Sequence, residues 1–307
     1  MIYPRTPRAA FFVFIPAILI VLCCGEDDAP RVERAIGGRP VTRGSTPWLV
    51  LLRATIVTTR FLGIPLQHRH IFCGGSVLND RWVITAAHCF KEYGSTGRSP
   101  RNWEVRLATT KLRTSSAERL LHLLGRLLQR SEWMQWEIGV ERIVIHPHYN
   151  ESSIWANDIA MVRLSRPVPS GPEFGYIKRV NLPRAFDDSF PGVGQLCVTT
   201  GWGCTSNGGG PSPVAREIQL PVYSDYMCEL HYSIRDMDKR VCAGYRNGGV
   251  GVCSGDSGSP LVCREDGKDV IAGVVSFTSR DRPGEFPAVF TRVTDYVTWI
   301  RSVIGES

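Results

Sequence analysis

The chain has 307 residues, 43% hydrophobic and 21% charged, an ordinary composition for a globular protein with room for one large or two small domains. Its formal charge is +7, and residues 1–34 carry four Arg against four acidic residues, so the remainder holds the whole excess. That balance favours an anionic surface or glycosaminoglycan as a partner and is no indication of nucleic acid.

In chain order, the first element is apolar. Arg5 and Arg8 precede the run Ala9 to Cys24, which ends at Gly25 before Glu26-Asp27-Asp28. A run of about sixteen apolar residues is short for a bilayer span, which needs about twenty. Residues 1–25 are therefore expected to be a secretory signal peptide, with an uncleaved anchor as the alternative, and the protein to be secreted and extracellular. No later segment has the length and apolarity to span a bilayer.

Short runs rich in Val, Ile and Leu then recur between Gly, Pro, Asn and Asp clusters: Trp48 to Leu52, Cys73 to Leu78, Val83 to Ala86, Ile143 to Ile145, Ala160 to Leu164, Gln195 to Thr200 and Val270 to Val275. Their length and spacing predict an antiparallel all-β architecture. Between Lys91 and Gly139, Ser115 and Glu118 form a capping box ahead of Leu120, Leu121, Leu123, Leu124, Leu127 and Leu128, with Arg119, Arg126 and Arg130 interspersed. This basic amphipathic helix either lays its leucines on the protein body or offers an exosite to an anionic surface or a protein partner. The last element, Val293 to Ile304, repeats apolar residues at helical spacing.

Three short motifs carry chemistry. Thr85-Ala86-Ala87-His88-Cys89, Asn157-Asp158-Ile159-Ala160 and Gly255-Asp256-Ser257-Gly258-Ser259-Pro260 supply an imidazole, a carboxylate and a hydroxyl in that order. A serine hydroxyl is a weak nucleophile at neutral pH; it needs an imidazole to take its proton and a carboxylate to hold that imidazole in the right tautomer. Metal binding is the competing use of His and Cys, but no finger spacing of Cys and His occurs, and neither a metal nor a cofactor is expected.

With these motifs the chain resembles the trypsin/chymotrypsin family of serine proteases, from about residue 35 to its C-terminus. The resemblance implies two six-stranded antiparallel β-barrels with the active site between them and a closing C-terminal helix. Ser257 would be the nucleophile, His88 the general base and then acid, and Asp158 the group that orients His88. The backbone N–H groups of Gly255 and Ser257 would form the oxyanion hole. Arg34-Ala35-Ile36-Gly37-Gly38 resembles a zymogen cleavage site, which makes residues 26–34 an activation propeptide and 35–307 the protease domain. Asp256 would pair with the new ammonium group of Ala35, a smaller residue than is usual there. The specificity pocket would involve Gly251, Thr278 and Ala288, with the segment Ser276-Phe277-Thr278 as one of its walls. Gly251 stands where trypsins carry an Asp, so cleavage after Arg or Lys is not expected; small or medium aliphatic side chains fit best and aromatic ones next. Arg280 and Arg282 on the neighbouring loop either favour an acidic residue or are solvated loop charges.

Ten cysteines in a secreted chain imply disulfides. Cys23 and Cys24 would leave with the signal peptide. The resemblance pairs Cys73 with Cys89, Cys197 with Cys263 and Cys228 with Cys242. Cys204 and Cys253 remain, and residues 277–307 lack the cysteine that relatives pair with the counterpart of Cys253, so a Cys204–Cys253 bridge is expected, against a free pair. Arg53 to Ile71 and Lys91 to Gly139 are longer than the family's usual loops, and no calcium site is expected in the second. Asn150-Glu151-Ser152 is an N-glycosylation sequon. The expected partners are protein substrates, an activating trypsin-like protease and protease inhibitors. The alternative function is a catalytically weak binding protein on the same fold.

Overall fold

The computed structural model describes residues 38–61, 64–91, 94–115, 117, 120, 124, 136–234 and 237–305, all in the unit Glu33–Ser307. The expected signal peptide and propeptide lie outside the described residues. So does most of the leucine-rich segment, of which Ala117, Leu120 and Leu124 are helical, with both leucines exposed.

Six strands close the first barrel: β2 (Leu49–Phe61), β3 (Ile64–Val77), β4 (Trp82–Thr85), β5 (Trp103–Leu107), β6 (Trp136–Ile145) and β7 (Ala160–Leu164), joined in the order β2-β3-β4-β7-β6-β5. The second unit of the fold is a seven-stranded antiparallel sheet in the order β1-β9-β8-β11-β12-β13-β10. Its strands are β1 (Arg39–Pro40), β8 (Leu196–Gly201), β9 (Arg216–Pro221), β10 (Arg240–Ala243), β11 (Pro260–Glu265), β12 (Lys268–Phe277) and β13 (Ala288–Arg292). A bridge between Val222 and Ala243 brings the end of β9 back to β10, so the sheet curls into a half-barrel beside the closed one, in keeping with the expected fold. Three helices are described: α1 (Gly94–Arg98), α2 (Asp225–Tyr232) and α3 (Val297–Ile304).

The unbroken apolar run at the start of β2 has a two-sided cause. Val50, Leu52, Ala54 and Ile56 point into the first barrel's core. Leu49 and Leu51, facing the other way, pack with Val41, Leu112, Ala215 and the fully buried Trp202 of the second half. A strand buried on both faces loses the polar alternation of a half-exposed one. The chain's end repays the contact: Val293, Tyr296 and Ile300, on the 3-10 turn Val293–Tyr296 and α3, join the first barrel's core after the second sheet is complete. Val297 and Ile300 are the buried positions of α3, and Gly305 ends it with φ of 81°.

Two expectations about the long segments change. Arg53 to Ile71 is not a loop but the outer part of a hairpin, in which Ala54 pairs with Ile71, Ile56 with Arg69 and Val57 with His68. Its β-branched residues Thr55, Ile56, Val57, Thr58 and Thr59 favour extended backbone, and that overrides the reading from length. Within Lys91 to Gly139 lie α1, the barrel strand β5 and the start of β6.

Candidate active site

His88 opens a short 3-10 turn, His88–Phe90, directly after β4, and its neighbour Cys89 is tied to Cys73 of β3 with the Cα atoms 6.4 Å apart. Asp158 immediately precedes β7, the strand that pairs with β4. The pairing brings the two motifs together across 70 residues. The backbone N–H of His88 donates to Asp158 Oδ1 at 2.9 Å, and His88 Nδ1 meets Asp158 Oδ2 at 2.7 Å. An ionised carboxylate only accepts, so Nδ1 carries the proton and Nε2 is left as the proton acceptor.

Asp158 is 1% exposed, and a buried carboxylate needs its lone pairs filled. The second sheet supplies the missing donor: Ser276 Oγ of β12 donates to Asp158 Oδ2 at 2.6 Å. Thr291 Oγ1 of β13 donates to the Asp158 main-chain carbonyl at 2.7 Å. The Trp155 ring stacks on the His88 ring with centroids 5.1 Å apart and meets Phe277 edge-on at 5.7 Å. Sequence reasoning named Ser276 only as a pocket wall and missed Thr291 and Trp155. The Ser276 and Thr291 contacts follow from the docking of the second sheet, and the Trp155 contact from the β6–β7 connection folding over the turn after β4; neither leaves a local sequence signal.

Ser257 lies in the turn between Cys253 and β11. Its carbonyl accepts from the N–H of Gly74 on β3 at 2.8 Å, which fastens the nucleophile turn to the first barrel beside the Cys73–Cys89 bridge. Ser257, Trp155 and Ser276 line one cavity of about 420 Å³, so the hydroxyl shares its surroundings with the two residues that touch His88 and Asp158. The N–H groups of Gly255 and Ser257 donate to no acceptor among the described residues. Two free amides in one turn beside a serine are the donors an oxyanion requires. Gly255 has φ of 106°, and a Cβ there would come within 3.0 Å of the Trp202 carbonyl, so only glycine fits.

Of the expected specificity residues, Thr278 lies on the cavity wall, whereas Gly251 and Ala288 do not line it. The loop after Phe277 folds back so that Pro283 lines the cavity and its carbonyl stands 2.8 Å from where a Cβ on Gly251 would be. Pro283 is thus interposed between the cavity and Gly251, which faces a small cavity on the other side. Ala288 is 1% exposed and pairs with Ala243 in the sheet. Arg280 lines the rim, while Arg282 is paired with Glu285 at 3.4 Å.

That small cavity, about 20 Å³, is lined by Gly38, Gly201, Gly203, Arg216, Gly251 and Asp256, among others. Asp256 accepts from the N–H of Gly203 at 2.7 Å and from that of Cys253 at 2.9 Å. Side chains at Gly201 or Gly203 would overlap its carboxylate, which accounts for the two glycines around Trp202. The residue reaches solvent only in part, and burial pushes its carboxyl up to about 6 against the pull of the two amides. No described cation forms an ion pair with it.

All eight cysteines of the described region are bridged: Cys73–Cys89, Cys197–Cys263, Cys204–Cys253 and Cys228–Cys242. The Cα atoms of Cys204 and Cys253 are 5.4 Å apart. Asn150 is exposed and caps the 3-10 turn Glu151–Ser153, its side chain accepting from the N–H of Ser152 at 3.0 Å. Among the described residues no cluster of three His, Cys, Asp or Glu could hold a metal, and no helix is long and apolar enough to cross a membrane. Arg34 and Ala35 lie outside the described residues.

The site has known counterparts. The family model described as Trypsin matches residues 35–300. Transmembrane protease serine 9 from Rattus norvegicus is 31% identical over 284 residues, covering 92% of this chain, and this chain spans 23% of that relative's length. By its barrel, its half-barrel sheet, its motifs and these matches, the chain belongs to the trypsin/chymotrypsin-like serine protease family.

Proposed function

We propose that the protein is a secreted serine endopeptidase made as a zymogen, with Ser257 as nucleophile, His88 as base and acid, and Asp158 as the group that orients His88. The observation that carries this reading is the buried Asp158–His88 pair, at 2.7 Å, beside a cavity on which Ser257 and the free Gly255 and Ser257 amides converge. In such a mechanism Asp158 holds the imidazole and balances the imidazolium formed when Nε2 takes the Ser257 proton. The two amides then receive the charge that develops on the carbonyl oxygen, and each is worth about 3 to 4 kcal/mol in sites of this kind.

Activation follows from the cavity beside Asp256. Gly38 lines that cavity, three residues from Ala35, and three extended residues reach about 10 Å, enough to bring an ammonium group on Ala35 to the buried carboxylate. Cutting after Arg34 by a trypsin-like protease creates that ammonium group. N-terminal sequencing of active material should read Ala-Ile-Gly-Gly; another start refutes the activation site.

No Asp or Glu lines the cavity, so Arg and Lys before the scissile bond are disfavoured, whereas the methyl and methylene groups of other side chains meet Val252 and Val275. Protein substrates, protease inhibitors and an anionic surface are the proposed partners, and Asn150 is the proposed glycan site. The membrane-anchored alternative to secretion rests on the apolar run Ala9 to Cys24 and on the relative's name, and fractionation of expressing cells separates the two.

Labelling with a serine-directed phosphonate tests the enzyme reading. Activated protein should take up the label, and Ser257→Ala and His88→Ala should each lose about 10⁴-fold or more in kcat/KM. Unlabelled protein supports the weak binding protein instead, and Ser257→Ala turning over at the wild-type rate removes Ser257 as the nucleophile.

A further inference from the structure

The cavity beside Ser257 is more polar than an aliphatic or aromatic guest requires. Val252, Val275 and Pro283 supply apolar surface, but Thr278, Ser279 and Arg280 line the same cavity, and no Asp or Glu does. Arg280 forms no ion pair, hydrogen bond or ring contact among the described residues. Its neighbour Arg282 differs, being engaged by Glu285 at 3.4 Å and lying 4.8 Å from the centre of the Phe286 ring. The Thr278 hydroxyl is enclosed beside the Tyr232 hydroxyl, its hydrogen-bonding neighbour, which itself donates to the Pro287 carbonyl at 2.5 Å, so the free donors on this wall are those of Arg280.

We infer that this cavity takes an acidic side chain, glutamate or aspartate, on the residue that precedes the scissile bond, and that Arg280 is the residue that selects it. The inference rests on Ser257 being the nucleophile, because that is what makes the cavity the seat of this side chain. A carboxylate leaving water needs a cation or several donors in return. Here a guanidinium with planar paired donors and no carboxylate partner lines the cavity. The methylenes of a glutamate lie against Val252 and Val275 on the way. A leucine or phenylalanine fills the same volume but leaves the guanidinium without a partner, and a site that offers charged donors discriminates against a guest that cannot pair with them. A basic guest meets a like charge.

The test uses full-length protein cut after Arg34 by immobilised trypsin that is then removed. Four fluorogenic peptides differ only in that residue: Glu, its neutral isostere Gln, Leu and Arg. On the wild type, Glu should exceed Gln and Leu by about tenfold or more in kcat/KM. Arg280→Gln should bring Glu and Gln level, and Arg280→Glu should make Arg the better substrate than Glu. Arg280 is exposed and on a loop, so these variants are expected to fold, and phosphonate labelling of Ser257 verifies each one. A labelled wild type that prefers Leu or Arg, or a labelled Arg280→Glu with the wild-type order of substrates, overturns the inference and leaves the peptidase reading standing. A wild type that takes up no label overturns both.

Discussion

Two aspartates of this chain are held in opposite ways. Asp158 is surrounded by donors, from His88 and from Ser276, which suit its ionised form. Asp256 has two amides and a confined cavity, and burial raises its carboxyl from 3.8 to about 6. The sign of the consequence follows from where the proton is held more tightly. The folded uncleaved chain binds the Asp256 proton more strongly than the unfolded chain does, so the stability it contributes is fully present below about 3.8 and is lost as pH rises through about 6. Relative to an Asp256→Asn variant, the uncleaved Ser257→Ala protein should therefore lose melting temperature between pH 4 and pH 7. In the proposed activated form the ammonium group of Ala35 would pair with the carboxylate, and the same comparison should reverse. A parallel course of the two proteins across this range, before and after cleavage, would count against Asp256 as the receiver of the new terminus. His88, Asp158, Ser257 and Asp256 were all legible in the sequence because each sits in a motif a few residues long. Ser276 was named as a pocket wall, where it does lie, but not for its bond to Asp158, and Trp155 was not named at all, because these contacts are with a neighbour 118 or 67 residues away.

At the scale of elements, the segment between β6 and β7 is the part of the site with the most unusual backbone. Ile154, Trp155 and Asn157 have φ of 45°, 52° and 54°, in the left-handed region that a β-branched or bulky residue occupies only when its surroundings hold it there. Arg240, at the start of β10 and only 7% exposed, donates to the carbonyls of Ser153 at 3.3 Å and Ile154 at 3.1 Å. Asn157 is gripped from both sides, its amide donating to the His148 carbonyl and its oxygen accepting from Tyr296. A strand of the second sheet thereby holds the turn that lays Trp155 over His88. Arg240→Met should release the turn and lower kcat/KM by about tenfold, with the Trp155 emission moving toward that of a solvated indole. Trp155→Ala should cost a similar factor, far less than removal of His88. An unchanged kcat/KM in Arg240→Met would show that the turn keeps its shape unaided. Strands at this level were only half legible. β2, β7 and β12 were read from their apolar runs, whereas β5 was hidden inside an apparent insertion and β10 and β13 were passed over. β10 carries the charged Arg240, and β13 carries Thr291 and Arg292, so neither reads as an apolar run even though all their residues are buried.

For the molecule as a whole, the charge of +7 has to be located before it predicts anything. Ion pairs sum to zero and so contribute nothing to it: Arg53 pairs with Glu104 at 2.6 Å, Arg106 with Glu137 at 2.8 Å, Arg163 with Glu141 at 2.8 Å and Arg292 with Asp225 at 2.8 Å. The outer hairpin of β2 and β3 is different, since residues 49–72 contain no Asp or Glu while His68, Arg69 and His70 stand exposed on one strand. Burial, with Arg53, Arg113 and His68 nearby, lowers the His70 pKa, which keeps that imidazole neutral near pH 7. An anionic polymer that binds the hairpin supplies the missing negative charge and favours the protonated ring, so binding should tighten as pH falls below about 6.5. Salt should weaken it, because charges on an exposed arm are screened within about 10 Å at 0.1 M ionic strength. The full-length Ser257→Ala protein should therefore be retained on a heparin column at low salt and should need more salt for elution at pH 5.5 than at pH 7.5. Replacing His68, Arg69 and His70 together by Ser should lower the eluting salt and flatten its dependence on pH. If that variant elutes with the parent protein at both pH values, the hairpin is not where the excess charge acts.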